Sequence, residues 1–221
     1  MNTRLVNREE RKAWAILLDF AADLYLNEPN RERLANCQAV GQQLIGVFPN
    51  ETFPKMFALA EAKSDAETLQ EYFDLFFVPV SDSYLPPFEA AYREKQLTAK
   101  LPVLIDQLYT EAGFAPQKLR IPAYMRSISR PDHIGLEMAF LACILTSSLS
   151  LETDGALEQA KILQETALSF HSMYLGKWAS LFGKKLLETA DSHLYKGLAS
   201  LTQFIDREFI RTFDNKKTIK N

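Results

Sequence analysis

Arg130-Pro131-Asp132-His133-Ile134-Gly135-Leu136-Glu137-Met138-Ala139-Phe140-Leu141 opens with turn residues and sets three ionisable side chains between positions 132 and 137. It then stays almost wholly apolar through Leu145. Read as a helix from about Asp132 onward, His133 and Glu137 lie four apart and share a face, which continues through Phe140, Cys143 and Ile144. A polar pair where a buried helix emerges is a place where a ligand cleft can form. A local role fits the same residues. Ser129-x-x-Asp132 matches a capping box, in which the Asp132 carboxylate ties down first-turn amides for roughly 1 kcal/mol. His133 and Glu137 can likewise hydrogen-bond each other at the helix start.

Outward from that stretch, helical periodicity dominates and strand alternation is rare. Trp14, Leu17, Leu18, Ala21, Leu24 and Tyr25 trace one face of a first helix, which the Glu28-Pro29 step stops. Further helices are expected over 31–47, near 51–61 and over 65–77. Val78 to Pro87 is a loop with three prolines and the polar run Ser81-Asp82-Ser83. Pro87 suits the first turn of a new helix, where the dipole favours Glu89. Residues 98–113 read as a helix closed by Gly113, and 115–130 as a hinge-like connector. The key helix covers about 131–150 and turns at Glu152-Thr153-Asp154-Gly155. One long helix is then expected over 156–182, with Leu163, Ala167, Phe170, Tyr174, Trp178 and Leu181 on one stripe. His171 falls beside Tyr174 and Trp178 as a hydrogen-bonded structural histidine. Leu194, Leu198, Leu201, Ile205 and Phe209 mark the last helix, before a frayed lysine-bearing tail. The expected architecture is all-α: an N-terminal lobe over about 1–114, the connector 115–130, a C-terminal helical unit 131–212 and a tail 213–221.

A chain of 221 residues with 47% apolar content, 15 Phe and 8 Tyr can bury a sizeable core. A net charge of -3 leaves no basic stripe for phosphates, so nucleic acid is not an expected partner. Cys37 and Cys143 lie in apolar helical contexts without a C-x-x-C, and two buried thiols are expected. The N-terminus lacks the apolar core of a secretory signal. No apolar run approaching ~20 residues stands out as a membrane span, and a cytoplasmic protein is expected.

Catalytic templates find nothing. G-x-G-x-x-G, G-x-x-x-x-G-K-[ST] and G-x-S-x-G are missing, and His133-x-x-x-Glu137 is not H-E-x-x-H. With three histidines a metal site would need several carboxylates. Asp132, His133 and Glu137 can act as acid and base, but no nucleophile or oxyanion donor stands beside them in sequence. Neither enzyme activity nor a cofactor is expected.

Three segments resemble the TorD/DmsD/NarJ family of molybdoenzyme-maturation chaperones. Arg130-Pro131-Asp132-His133-Ile134-Gly135-Leu136-Glu137 is similar to its Asp-His signature. Tyr72-Phe73-Asp74-Leu75-Phe76-Phe77-Val78-Pro79, followed by Pro86-Pro87-Phe88-Glu89-Ala90-Ala91-Tyr92, resembles its aromatic helix end and proline loop. Phe170-His171, Leu175 and Trp178 resemble its Phe-x-x-His-x-x-x-Trp region with altered spacing. The resemblance implies an all-helical chaperone that binds the twin-arginine leader, and the mature part too, of a molybdopterin-containing oxidoreductase before export, as a monomer or a homodimer. It implies a leader-binding groove formed by Tyr84, Pro86, Phe88, Glu89, Tyr92, Asp132, His133 and Glu137. Carboxylates would meet guanidinium groups at its mouth, with Phe140 and Ile144 beyond, and His133 would orient them. Ala90 stands where the family has a frequent serine, and Arg130 where an acidic residue is common. The rival readings are a NarJ-like adaptor for a non-exported respiratory subunit and a metal-dependent hydrolase using Asp132, His133 and Glu137.

Overall fold

The computed structural model describes residues 5–45, 65–128 and 130–214. The helix expected near 51–61, the last two residues of the one over 31–47, and most of the tail lie outside them. Among the described residues the secondary structure is helical, with one isolated antiparallel bridge, Phe88 to His133. In order come α1 (Arg8–Leu26), α2 (Arg31–Ile45), α3 (Asp65–Phe76), a 3₁₀ turn Glu89–Ala91, α4 (Lys95–Thr98), α5 (Leu101–Glu111) and a 3₁₀ turn Pro116–Lys118. These are followed by α6 (Ala123–Ile128), α7 (Ile134–Thr153), α8 (Leu157–Met173), a 3₁₀ turn Leu175–Lys177, α9 (Ala179–Thr189) and α10 (His193–Phe213).

α1 starts where Asn7 accepts from the Glu9 amide at 2.8 Å, with Glu9 and Glu10 favoured by the dipole in its first turn. Its predicted apolar face is buried throughout, and Trp14 packs against Phe204, Phe209 and Phe213 of α10. α1 lies along α7, and the two meet closely at Gly135, where a Cβ would stand 2.6 Å from Leu26 Cγ. Any larger residue there would push the helices apart.

α7 is the central helix. Within its 20 residues an 18-residue window has a mean hydropathy of 1.8, long and apolar enough to cross a membrane by length and composition, contrary to the expectation that no such run exists. Two thirds of that window is buried inside the fold, as suits a core helix between α1 and α8. Cys143 departs from expectation too. It is exposed, because Cys143, Thr146, Ser147 and Ser150 form a solvent stripe on α7. The side chain of Cys37 lies outside the described residues.

The helix predicted over 156–182 is broken. α8 ends at Met173, Tyr174 adopts φ -121° and ψ -91°, and a 3₁₀ turn leads into α9. Leu163, Phe170 and Trp178 keep their phase across the break, which is why the pattern looked continuous. Leu181 accordingly points outward, 47% exposed. The helix predicted over 98–113 begins later, at Leu101 with Pro102 in its first turn, and Gly113 closes it at φ 70°. Ser192 caps α10, and the Glu71 carboxylate of α3 accepts from the amides of Asp191 and Ser192 at 2.7 and 2.9 Å.

Candidate functional site

The proline loop and the entry to α7 are stitched together by backbone. Glu89 N donates to Asp132 O at 2.8 Å and Ile134 N to Pro87 O at 2.9 Å. Pro87 therefore does not open a long helix. Its carbonyl serves the bridge, and Glu89 sits in a single 3₁₀ turn. This bridge brings together the sequence's two strongest motifs, 42 residues apart in the chain.

The capping expectation for Asp132 is corrected. His133 is the N-cap of α7: its backbone is extended and its Nδ1 accepts from Gly135 N at 3.1 Å. His133 thus lies outside the helix and spends that nitrogen on Gly135, while Glu137 turns to another partner. Burial holds the imidazole near pKa 3, so it stays neutral. Asp132 looks the other way. Its carboxylate accepts from Ala90 N at 3.0 Å and from Arg130 Nε and Nη2, both at 2.9 Å. The Arg130 guanidinium also lies over the Phe88 ring, 5.1 Å from its centroid. Arg130 therefore neutralises Asp132 where an acidic residue is common among the resembling sequences. The backbone amide of Ala90, rather than a side-chain hydroxyl, completes the set.

Glu89 and Glu137 form a buried carboxyl pair, each with no exposed surface. Trp178 Nε1 donates to Glu137 Oε2 at 3.2 Å, and Arg93 bonds Glu89 Oε1. Among the described residues no hydrogen-bond donor reaches Glu89 Oε2 or Glu137 Oε1. Two ionised carboxyl groups buried side by side would repel, which favours the protonated form. Burial first, then Glu89, push Glu137 well above the carboxylate range. Burial raises Glu89 to about 7 against the pull of Arg93. Tyr109 closes the floor, its hydroxyl donating to Pro131 O at 2.9 Å.

The eight residues expected to line a groove thus divide. Asp132, His133, Glu89 and Glu137 are buried, and the carboxylates do not stand at a cleft mouth. Tyr84, Pro86, Phe88 and Tyr92 remain half-exposed above them. Tyr92 stacks on Trp178 at 5.3 Å, and Lys185 Nζ lies over the Tyr92 ring, 5.6 Å from its centroid. Phe140 and Ile144 are core residues, 1% and 4% exposed. Sequence reasoning missed Arg93 and Tyr109 and put Trp178 in a packing stripe. Arg93 alone carried a signal, four residues after Glu89. His171 lies apart from the cluster, stacked on Phe209 at 4.8 Å and 3.6 Å from Asp206, with neither ring nitrogen hydrogen-bonded among the described residues. Open spaces among the described residues include about 800 Å³ between α1 and α7, about 270 Å³ between α5 and α8, and about 200 Å³ beside Pro131 and Leu136. Among the described residues no three His, Cys, Asp or Glu side chains are placed to hold a metal ion. The hydrolase reading loses its footing there, since Asp132 and the Nδ1 of His133 are already engaged.

Residues 49–183, more than half of the chain, match the family described as nitrate reductase delta subunit. The chain belongs to that family. Members of the nitrate reductase delta subunit family are molybdoenzyme-maturation chaperones rather than catalysts. The match spans the proline loop, the Asp-His entry to α7 and Trp178, the segments that build the buried cluster. No curated protein and no solved structure matches the chain.

Proposed function

We propose that this chain is a cytoplasmic chaperone that binds the twin-arginine leader of a molybdopterin-containing oxidoreductase and holds back export until the cofactor is inserted. One observation supports this most. The two leader-associated motifs close on each other through the Phe88–His133 bridge and leave Tyr84, Pro86, Phe88 and Tyr92 as a half-exposed aromatic edge. In this reading those four residues touch the leader. Asp132, His133, Glu89 and Glu137 hold the edge in place from below rather than meeting the peptide themselves. Calorimetric titration with a twin-arginine leader peptide tests it. Binding should weaken in Phe88→Ala and Tyr92→Ala with the helical circular-dichroism signal unchanged. Wild-type chain that ignores every leader offered would end the proposal.

The family match favours a second reading, in which the client is a respiratory enzyme subunit that is not exported. A pull-down with leader-deleted client separates the two, because only the adaptor of the second reading retains it.

A further inference from the structure

The groove between α5 and α8 is small, about 270 Å³, and its walls are Leu108, Phe140, Leu163, Phe170 and Met173 with Glu111 at the rim. Apolar surface continues beyond it. Leu104 is 42% exposed, Ile162 60% and Met173 51%. Leu104, Leu108 and Glu111 form one stripe of α5, and Ile162, Thr166, Ser169 and Met173 one stripe of α8. Apolar side chains left outward on two facing helices mark a surface that something else covers.

Charge selects the occupant. Glu111 is the sole charged side chain lining this groove, and among the described residues it forms no ion pair. The larger groove between α1 and α7 is rimmed by Arg8, Lys12 and Lys118 as well as Glu9 and Asp19. A peptide arginine meets charges of both signs there, whereas here it finds a lone carboxylate next to an unfilled apolar trough. The trough is also tied to the aromatic edge, since Arg93, bonded to Glu89, donates to the Met173 carbonyl at 3.2 Å. An apolar helix inserts one face of side chains into such a trough.

We propose that the α5–α8 groove holds the apolar segment of an arginine-bearing leader, with an arginine on Glu111. This rests on the leader-binding reading above and adds the place where the apolar segment sits. The test is fluorescence anisotropy with a labelled peptide of two adjacent arginines followed by a leucine- and alanine-rich stretch. The full chain is compared with Glu111→Lys, Met173→Lys and, in the other groove, Ile16→Lys. The first two should each weaken binding about tenfold, the scale of one lost charge-assisted hydrogen bond, and the Glu111→Lys loss should shrink as salt rises. Ile16→Lys should bind as wild type. Wild-type affinity in both groove variants overturns the groove while the leader-binding reading stands. A wild-type chain that does not bind the peptide overturns both. A change of sedimentation in Glu111→Lys with unchanged affinity assigns the face to self-association and likewise overturns the proposal.

Discussion

The two ends of α7 each bury charge, and they do so in opposite ways. At the C-terminal end the Arg11 guanidinium, with no exposed surface, donates to Val6 O at 3.0 Å, Ser148 Oγ at 2.7 Å and Glu152. Ser148 passes its own hydrogen on to Ala160 O at 2.9 Å. The buried cation meets a carboxylate, and its guanidinium nitrogens are all used. At the N-terminal end three buried carboxyl groups face two arginines, Arg130 and Arg93, whose side chains are 45% and 17% exposed. One carboxyl oxygen on each of Glu89 and Glu137 has no hydrogen-bond donor among the described residues. The first end is a settled clamp for α1, α7 and α8. The second is frustrated, and unsatisfied buried polar groups in a native fold tend to mark function.

The largest effect is expected at the settled end. Arg11→Met should cost about 3 kcal/mol or more, because it strips the partner from an ion pair with one fully buried member. Arg8→Ala, whose 3.4 Å contact with the same Glu152 is exposed, should cost under ~1 kcal/mol. Urea denaturation of both variants measures the gap, and equal losses would erase the distinction between clamp and surface pair.

At the frustrated end the expected signature is pH dependence. Glu89 and Glu137 titrate higher in the folded chain than in the unfolded one, so between about pH 4.5 and 7 the native state binds more protons. Their contribution is therefore present at the acid side of that window and is lost as pH rises through about 7. Glu137→Gln keeps the shape and removes the titration. It should gain on the order of 1–3 kcal/mol relative to wild type between pH 5 and 8. Parallel stability curves for the two proteins would mean that folding does not raise the Glu137 pKa. His133 carries the reverse sign: held near 3 by burial, it is bare of a proton in the folded chain while the unfolded one takes it up below about 6.5. Stability is lost as pH falls through that range. His133→Asn, which can still cap α7, should flatten the acid limb by about 1–2 kcal/mol. An unchanged acid limb in thermal melts would remove His133 as its cause.

How far the sequence could be read follows the same division. Periodicity disclosed α1 and α10, since the apolar residues read as the faces of Trp14 to Tyr25 and Leu194 to Phe209 are all buried. The Asp-His stretch was rightly the pivot, because it starts the helix on which the fold is built. What stayed illegible was the partner of each polar group. Asp132 and Glu137 could be placed on a helix start by local spacing. Nothing local says that Asp132 takes an amide from Ala90 or that Glu137 finds the indole of Trp178. The break at Tyr174 is what aims that indole, and two short helices in phase look like one long one. Local spacing therefore suggested an open cleft where long-range closure makes a buried cluster.

Between its two ends α7 offers the smallest and cleanest comparison. A helix so apolar reads as buried on every side, yet the Cys143, Thr146, Ser147 and Ser150 stripe faces solvent. Cys143→Ser should then change stability by no more than ~0.5 kcal/mol. Leu145→Ala, two positions on and fully buried, should lose about 2–5 kcal/mol. The thiol of Cys143 should also react with a maleimide in native buffer at a rate that denaturant barely raises. A thiol protected until the chain unfolds would mean that α7 is covered all round. The groove beside α1, which that stripe lines, would then be closed in solution.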